Sequence, residues 1–514
     1  MRIKFWPKQS TIPAIKLNHR YGADMTFSFQ TDSRLTTSIY AVEAFGFKNN
    51  FRIGAFQSNL VNQIESGISE AEATGLIRHD IYFGTDMWKN PVTGVVEVVP
   101  DYYDSEWTTL GASYFVNAIE GQPKATRYPN NGQQMYDMSN GAYGYDFSND
   151  VAGTSNLYEY KGVVEIQKNW IKGLTGRNVS SGSYRNGRRE TSGLNYPNFL
   201  GVRNSNAGPA LANGDADTYY GSGLGYKGDS RSFREYFIDY PSTTRWWDYW
   251  NTFYVPPMPK ADAIDYLEQE IGKTLVNNGW FRDFTHFHSA YSFGNLESLD
   301  EFMQIVKTSV GADFAWYCSN GEALEYMYLR ELCNRVTAQE KDGKVTVILD
   351  VDDDFKDMMV DGISLATPLD GINTPLSIQV DLSGTSLSGK SIITTNGKPI
   401  SLGSDNYIVE VPFKSAVEGF AALVIEEDLE GIGYLDFTPP VITTTIDGEF
   451  IEISTDQLTK CAVFQAPLGG ELKDVQIYNR SNKLGTIHNF HVESGYEYWV
   501  GAINEAGQSS LLKI

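Results

Sequence analysis

Six histidines are spread over 514 residues (His19, His79, His286, His288, His488 and His491), so any imidazole chemistry must draw on few groups. His286 and His288 form an H-x-H pair, and on a strand that spacing places both rings on one face. With Asp32 as a carboxylate they could make a relocated metal site, since imidazole and carboxylate are ordinary zinc ligands. The competing reading is a hydrogen-bonded pair without reactivity. Asp350, Asp352 and Asp354 have the alternating spacing of a calcium loop, yet no glycine stands at its sixth position and no glutamate at its twelfth. They read as a solvated strand end.

Arg185, Arg188 and Arg189 form a cationic cluster that could grip an anionic sugar or a partner's carboxylates, although surface solvation is the preferred account. The stretch Gly221-Ser222-Gly223-Leu224-Gly225 lacks the preceding strand and following helix of a phosphate loop. A dense aromatic set includes Trp246, Trp247, Tyr249 and Trp250. Such rings stack on the C–H faces of sugars or bury against another surface, and both readings stand.

These groups must be positioned by elements with different periodicities. Ile264, Leu267, Ile271 and Leu275, then Leu299, Phe302, Met303 and Val306, recur at the three- and four-residue spacings of amphipathic helices. They alternate with short β-rich runs, which predicts an α/β layer or barrel over 1–335 with functional groups at the C-terminal ends of the strands. From about Val336 the pattern turns to strands and Gly, Ser, Thr and Asp turns, predicting a β-sandwich over 336–437. The break Thr438-Pro439-Pro440 opens a last all-β unit, 438–514. Two stretches, 81–135 and 188–255, are long, aromatic and weakly periodic, and read as insertions.

Composition narrows the function classes. A net charge of -23, from 41 Lys and Arg against 64 Asp and Glu, repels phosphate backbones and argues against a nucleic-acid partner. No apolar run is long enough to span a membrane, and the N-terminus lacks the pattern of a signal peptide. Cys318, Cys333 and Cys461 are odd in number and far apart, which points to buried thiols.

Four segments, in order, make 20–335 similar to the polysaccharide deacetylase domain (NodB homology, carbohydrate esterase family 4). Ala23 to Asp32 resembles the family's first strand, which normally ends in Phe-Asp-Asp-Gly. Tyr136 to Tyr145 stands where the family has an Asn-His-Thr-x-x-His motif. Trp170 to Val179 with Ser183 to Gly187 resembles its helix, Leu-Thr-Gly turn and following strand. Gly279 to Arg330 resembles its last His-bearing strand and closing helix. The resemblance implies a deformed (β/α) barrel followed by two β-sandwich domains. The unit 438–514 is itself similar to a fibronectin type III domain through Pro439-Pro440 and the run Tyr496 to Ser509.

The family's reaction needs one Asp and two His on a divalent metal, which activates water, and a second carboxylate as base. Gln30 and Thr31, or Thr31 and Asp32 in the shifted register, replace the acidic pair; Gly141 and Tyr145 replace the histidines; His288, or else His286, matches the late catalytic histidine. Glycine has no ligand atom and a neutral tyrosine is a poor one. The expectation is a degenerate pocket with no catalytic residues, no metal and no cofactor.

The function expected is a non-catalytic structural or attachment protein, as in a phage virion at a tail or fibre-docking ring. Its partners would be other subunits of an oligomeric assembly. A host glycan bound by Trp246, Trp247, Tyr249 and Trp250 is one alternative, and a divergent metal-dependent deacetylase is another. The expected location is a virion or the extracellular space after lysis, or the cytoplasm if the chain is cellular.

Overall fold

The computed structural model describes residues 12–32, 39–52, 54–57, 87–89, 96–98, 147–151, 179–184, 200–203, 259–286, 296–351, 359–360, 363–364, 374–412, 420–481 and 483–514. Its first unit is organised by the strand Met25–Asp32, whose residues alternate between two apolar environments. Met25, Phe27 and Phe29 face helices, whereas Ser28 on the opposite face donates to Asn320 Oδ1 at 2.6 Å and accepts from the Trp280 indole at 2.9 Å. The neighbouring strands repeat the alternation: Phe281 and Ala315 join Phe27's cluster, while Trp280, Trp316 and Cys318 join the other. A strand buried on both faces is the signature of a parallel sheet.

All pairings in this sheet are parallel. Trp280–His286 flanks Met25–Asp32 along most of its length, in register from Thr26↔Trp280 to Asp32↔His286. Ala315–Cys318 pairs with the beginning of Met25–Asp32 and Gly54–Gln57 with its end. From Gly54–Gln57 the sheet continues through Phe147–Val151 and Ser181–Tyr184 to Gly201–Arg203.

This arrangement overturns the expected (β/α) barrel. Among the described residues the chain is mostly β-sheet with four α-helices, and the seven parallel strands form an open half-barrel in which Gly201–Arg203 does not pair with Trp280–His286. Local alternation of strands and helices is the same in an open sheet and a closed barrel, so the sequence pattern cannot separate them.

The four helices are α1 (Ile39–Asn49), α2 (Lys260–Val276), α3 (Leu296–Val310) and α4 (Asn320–Leu332). The predicted stripes are in place: Leu267 and Ile271 on α2, and Leu299, Phe302, Met303 and Val306 on α3, are fully buried. Against them Phe27 stacks on Phe281 with centroids 4.7 Å apart, and Phe29 meets Phe302 at 4.7 Å.

On the other face lies α4, begun by a capping box in which the Glu322 N–H donates to Ser319 Oγ and the Ser319 N–H to the Glu322 carboxylate. Every residue from Asn320 to Arg330 is buried. Lys16 closes the far end, donating to the carbonyls of Arg330 at 2.8 Å and Cys333 at 2.6 Å, where the helix leaves acceptors unpaired. The strand Cys333–Lys341 follows α4 directly and enters the middle unit.

That unit is a β-sandwich of two four-stranded antiparallel sheets. One holds Cys333–Lys341, Lys344–Val351, Phe420–Glu427 and Ile392–Thr394; the other holds Leu376–Asp381, Asn406–Val411, Ile400–Gly403 and, from the far N-terminal side, Ala14–Lys16. Strict alternation buries Val345, Val347, Leu349 and Val351 against Ile378, Val380 and Val409.

In the terminal unit the 18-residue strand Phe450–Pro467 serves two groups of neighbours. Its first half lies between Ile442–Asp447 and Gly485–His491; its second lies between Gln476–Arg480 and Tyr496–Asn504, with Ser509–Lys513 beyond. This unit does not hang from a linker. Ala462, Phe464, Trp499 and Ile503 belong to the same buried cluster as Phe45 and Phe47 of α1.

Beside that contact the fully buried Glu43 carboxylate receives both guanidinium nitrogens of Arg480, at 2.6 and 2.5 Å. Asn50 Oδ1 accepts from the Ser509 N–H at 3.0 Å. Gly501 lies so near the Phe47 ring that a Cβ there would stand 2.6 Å from Cγ. Gly501→Ala should therefore cost on the order of 1–3 kcal/mol in urea denaturation, with partial recovery when Phe47→Leu is added. An unchanged midpoint would contradict this docking.

Candidate functional site

The carboxyl end of the parallel sheet is where an α/β protein normally holds its ligand. Gln30, Thr31 and Asp32 end the first strand there, with Cα partners Phe284, Thr285 and His286 on one side; Gly54 and Ala55 are opposite Gln30 and Thr31 on the other. The register thus brings Asp32 beside His286. Gly141, Tyr145, His288, Trp246, Trp247, Tyr249 and Trp250 lie outside the described residues, as do Arg185, Arg188, Arg189, Asp352 and Asp354. Asp350 sits on Lys344–Val351 with Arg335 4.0 Å away.

A divalent ion of the kind the deacetylase resemblance implies needs one Asp and two His, and most of the residues expected to stand at that pocket lie outside the described ones. Among the described residues no group of three His, Cys, Asp or Glu side chains is placed to hold a metal.

Three further histidines, His19, His488 and His491, lie among the described residues and have structural partners, whereas His79 lies outside them. His19 is buried, with Nδ1 2.7 Å from Thr26 Oγ1 and Nε2 2.9 Å from the Asn278 carbonyl. A carbonyl only accepts, so Nε2 carries the proton and Nδ1 accepts from the threonine hydroxyl. Burial holds the imidazole neutral and lowers its pKa to about 4. His488 is buried in the terminal unit, and His491 pairs with Glu449 at 3.2 Å on its surface. All three cysteines are free and buried, as read from the sequence.

A cavity lies at the opposite, amino end of the sheet. It occupies 530 Å³ between the start of Ala315–Cys318, the ends of α1 and α3, and the terminal unit. Arg20, Arg52, Lys307 and Lys460 contribute four cations, against the carboxylates of Asp313 and Glu505. Two of the cations are committed: Arg20 pairs with Glu410 at 2.7 Å and Arg52 with Glu322 at 2.8 Å. Glu505 is likewise paired, with Lys398.

Lys307 and Lys460 have no carboxylate within ion-pair distance among the described residues. Lys307 rests on an aromatic face instead, its Nζ 3.9 Å from the Tyr317 ring centroid. Burial without a compensating anion lowers its pKa from 10.5 to about 7. The Tyr317 hydroxyl is buried without a hydrogen-bond partner among the described residues, and burial raises its pKa. Tyr21, Phe314 and Phe437 add aromatic walls, with Phe437 edge-on to Tyr21 at 5.5 Å and to Phe314 at 5.2 Å.

None of these cleft residues was singled out from the sequence. The available signal was Lys307 itself, a cation next to Val306 on the edge of α3's apolar stripe. Lys460 carried a similar one, between Thr459 and Cys461 in a run of buried alternation.

No protein-family model matches the chain, and no curated protein matches its sequence. Among solved structures it has a remote similarity to a GH30 endoxylanase from Clostridium papyrosolvens C71. The identity is 8%, the match covers 81% of this chain and 100% of that one, and the TM-score is 0.16, which carries no argument about fold or activity. No helix among the described residues is long and apolar enough to cross a membrane.

Lys307 gives the cleft a titratable signature. Between pH 7 and 10.5 the unfolded chain holds this proton and the folded chain does not, so on this group's account stability rises with pH across that window. Lys307→Met should stabilise the protein by on the order of 1 kcal/mol at or below pH 7, the gain shrinking towards pH 10.5. Urea denaturation at several pH values measures it; a pH-independent difference would show that Lys307 is not held in a desolvated site.

Proposed function

We propose that the chain is a non-catalytic structural or attachment protein, working as a stiff unit in a larger assembly. The observation that carries this reading is the continuity of the cores. The terminal unit shares one buried cluster with α1, α2 and α3, and the middle sandwich shares another with α4. Interfaces between independent domains are smaller and more polar, and they leave relative motion as the default. Fused cores transmit force and hold docking surfaces at fixed angles, which a particle subunit needs and a flexible multidomain hydrolase does not.

The fibronectin type III-like reading of 438–514 is supported by a three-stranded group formed by the first half of Phe450–Pro467 with two neighbours and a four-stranded group formed by its second half with three others. It is further supported by Tyr498, whose hydroxyl accepts from the Glu493 N–H at 2.9 Å and donates to the Glu493 carbonyl at 3.2 Å. A tyrosine at the start of a late strand, bonded to backbone a few residues upstream, is a recurring corner of such sandwiches. Modules of this type extend and adhere without adding a reactive group. The setting we infer is a virion, at a phage tail or a ring to which fibres dock.

A second reading, a divergent metal-dependent deacetylase, draws on the single fact that Asp32 and His286 are register partners at the carboxyl end. The two readings separate experimentally. Light scattering on the purified full chain should show concentration-dependent assembly, and acetylated chitin and xylan oligosaccharides with added zinc should release no acetate. A strictly monomeric chain that releases acetate, and loses that activity in Asp32→Asn, would replace the structural reading with the enzymatic one.

A further inference from the structure

We propose that the cleft between the parallel sheet and the terminal unit binds a carboxylate carried on a sugar ring, that is, a uronic-acid residue of an acidic glycan. The charge of the ligand follows from the cations. Lys307 and Lys460 reach the cleft from different units, and neither is neutralised by a carboxylate within ion-pair distance among the described residues. A part-buried ammonium that lines a cleft without a counter-ion offers its charge to an anion. Tyr317, whose ring carries Lys307 and whose buried hydroxyl has no partner among the described residues, also lines the cleft.

The body of the ligand follows from the walls and the volume. Phe314, Phe437 and Tyr21 are worth little to a bare inorganic ion but suit the C–H faces of a saturated ring. The 530 Å³ of space falls in the range of clefts that take small organic ligands. With a net charge of -23 the chain repels polyanions at long range, which favours a ligand carrying one carboxylate per ring over a densely charged phosphate polymer. The site needs both units, because Lys307 belongs to α3 and Lys460 to the strand Phe450–Pro467.

Calorimetric titration of the full chain with trigalacturonate and with a glucuronate trisaccharide tests the assignment, using neutral galactotriose and inorganic phosphate as controls. One of the acidic trisaccharides should bind, and Lys307→Met and Lys460→Met should each weaken it about tenfold or more. Lys307→Arg and Lys460→Arg should retain most of the affinity, and circular dichroism establishes that each variant is folded. The assignment is overturned if neither acidic trisaccharide binds, if galactotriose binds equally well, or if the methionine variants bind unchanged. It is also overturned if phosphate alone matches the trisaccharide, which would make the cleft a simple anion site. None of these outcomes bears on assembly or acetate release, so the structural reading stands or falls separately.

Discussion

The burial of α4 from Asn320 to Arg330 is the constraint around which the rest of the molecule is arranged. A helix with eleven successive buried residues cannot turn a polar face to water, yet this one carries Glu322, Glu325 and Arg330. Breaking one buried charge pair costs about 3–5 kcal/mol, so each group must find its partners inside the protein. They come from widely separated parts of the chain. Glu325 accepts from Ser180 at 2.5 Å and from the Thr374 N–H and hydroxyl at 3.1 and 2.9 Å. Arg330 donates to the Asn18 carbonyl at 3.0 Å, and Arg52 reaches Glu322. Parallel sheet, N-terminal segment and middle sandwich are thereby fixed to one another through a single helix.

The same logic explains why the N-terminal segment crosses between units. Ala14–Lys16 completes a sheet of the middle sandwich, Lys16 closes the end of α4, and Tyr326 donates to the Leu17 carbonyl at 3.1 Å. His19 then ties Thr26 of the parallel sheet to Asn278 at the end of α2 before the chain enters Met25–Asp32. Stability here is shared between units that the sequence presents as successive blocks.

Much of the local structure was legible because it depends on period alone. The stripes of α2 and α3, the alternation of Lys344–Val351 and the late strands of the terminal unit are set by neighbours three, four or two residues away. What was illegible depends on partners hundreds of residues distant. Glu322, Glu325 and Arg330 look from sequence like the solvent face of an amphipathic closing helix, and only Arg52, Thr374 and Asn18 make them interior groups. Whether parallel strands close into a barrel is also non-local: Ala315–Cys318 and Gly54–Gln57 share one edge of Met25–Asp32, a division no spacing announces. The cleft was hidden for the same reason, since Lys307 and Lys460 come to line one cavity only when the terminal unit docks on α1, as at Phe47 and Gly501.

The position of that cleft sets its chemistry. At the carboxyl end of a parallel sheet, helix N-termini offer backbone N–H groups and a positive dipole, which hold anions without charged side chains. At the amino end the chain offers the reverse: α3 ends at Val310 with the negative pole of its dipole, its Lys307 and Val310 carbonyls accepting from the Gly311 and Asp313 N–H groups. An anion held there must be held by side-chain cations, and those cations must first offset the helix terminus itself. Lys307, in the last turn of α3, is placed for both tasks. Lys460, brought by the terminal unit, supplies charge that the helix end does not already use. A cationic cleft at this end of the sheet is therefore a product of domain docking, whereas a site inherited from an α/β ancestor would lie at the other end, where Asp32 meets His286.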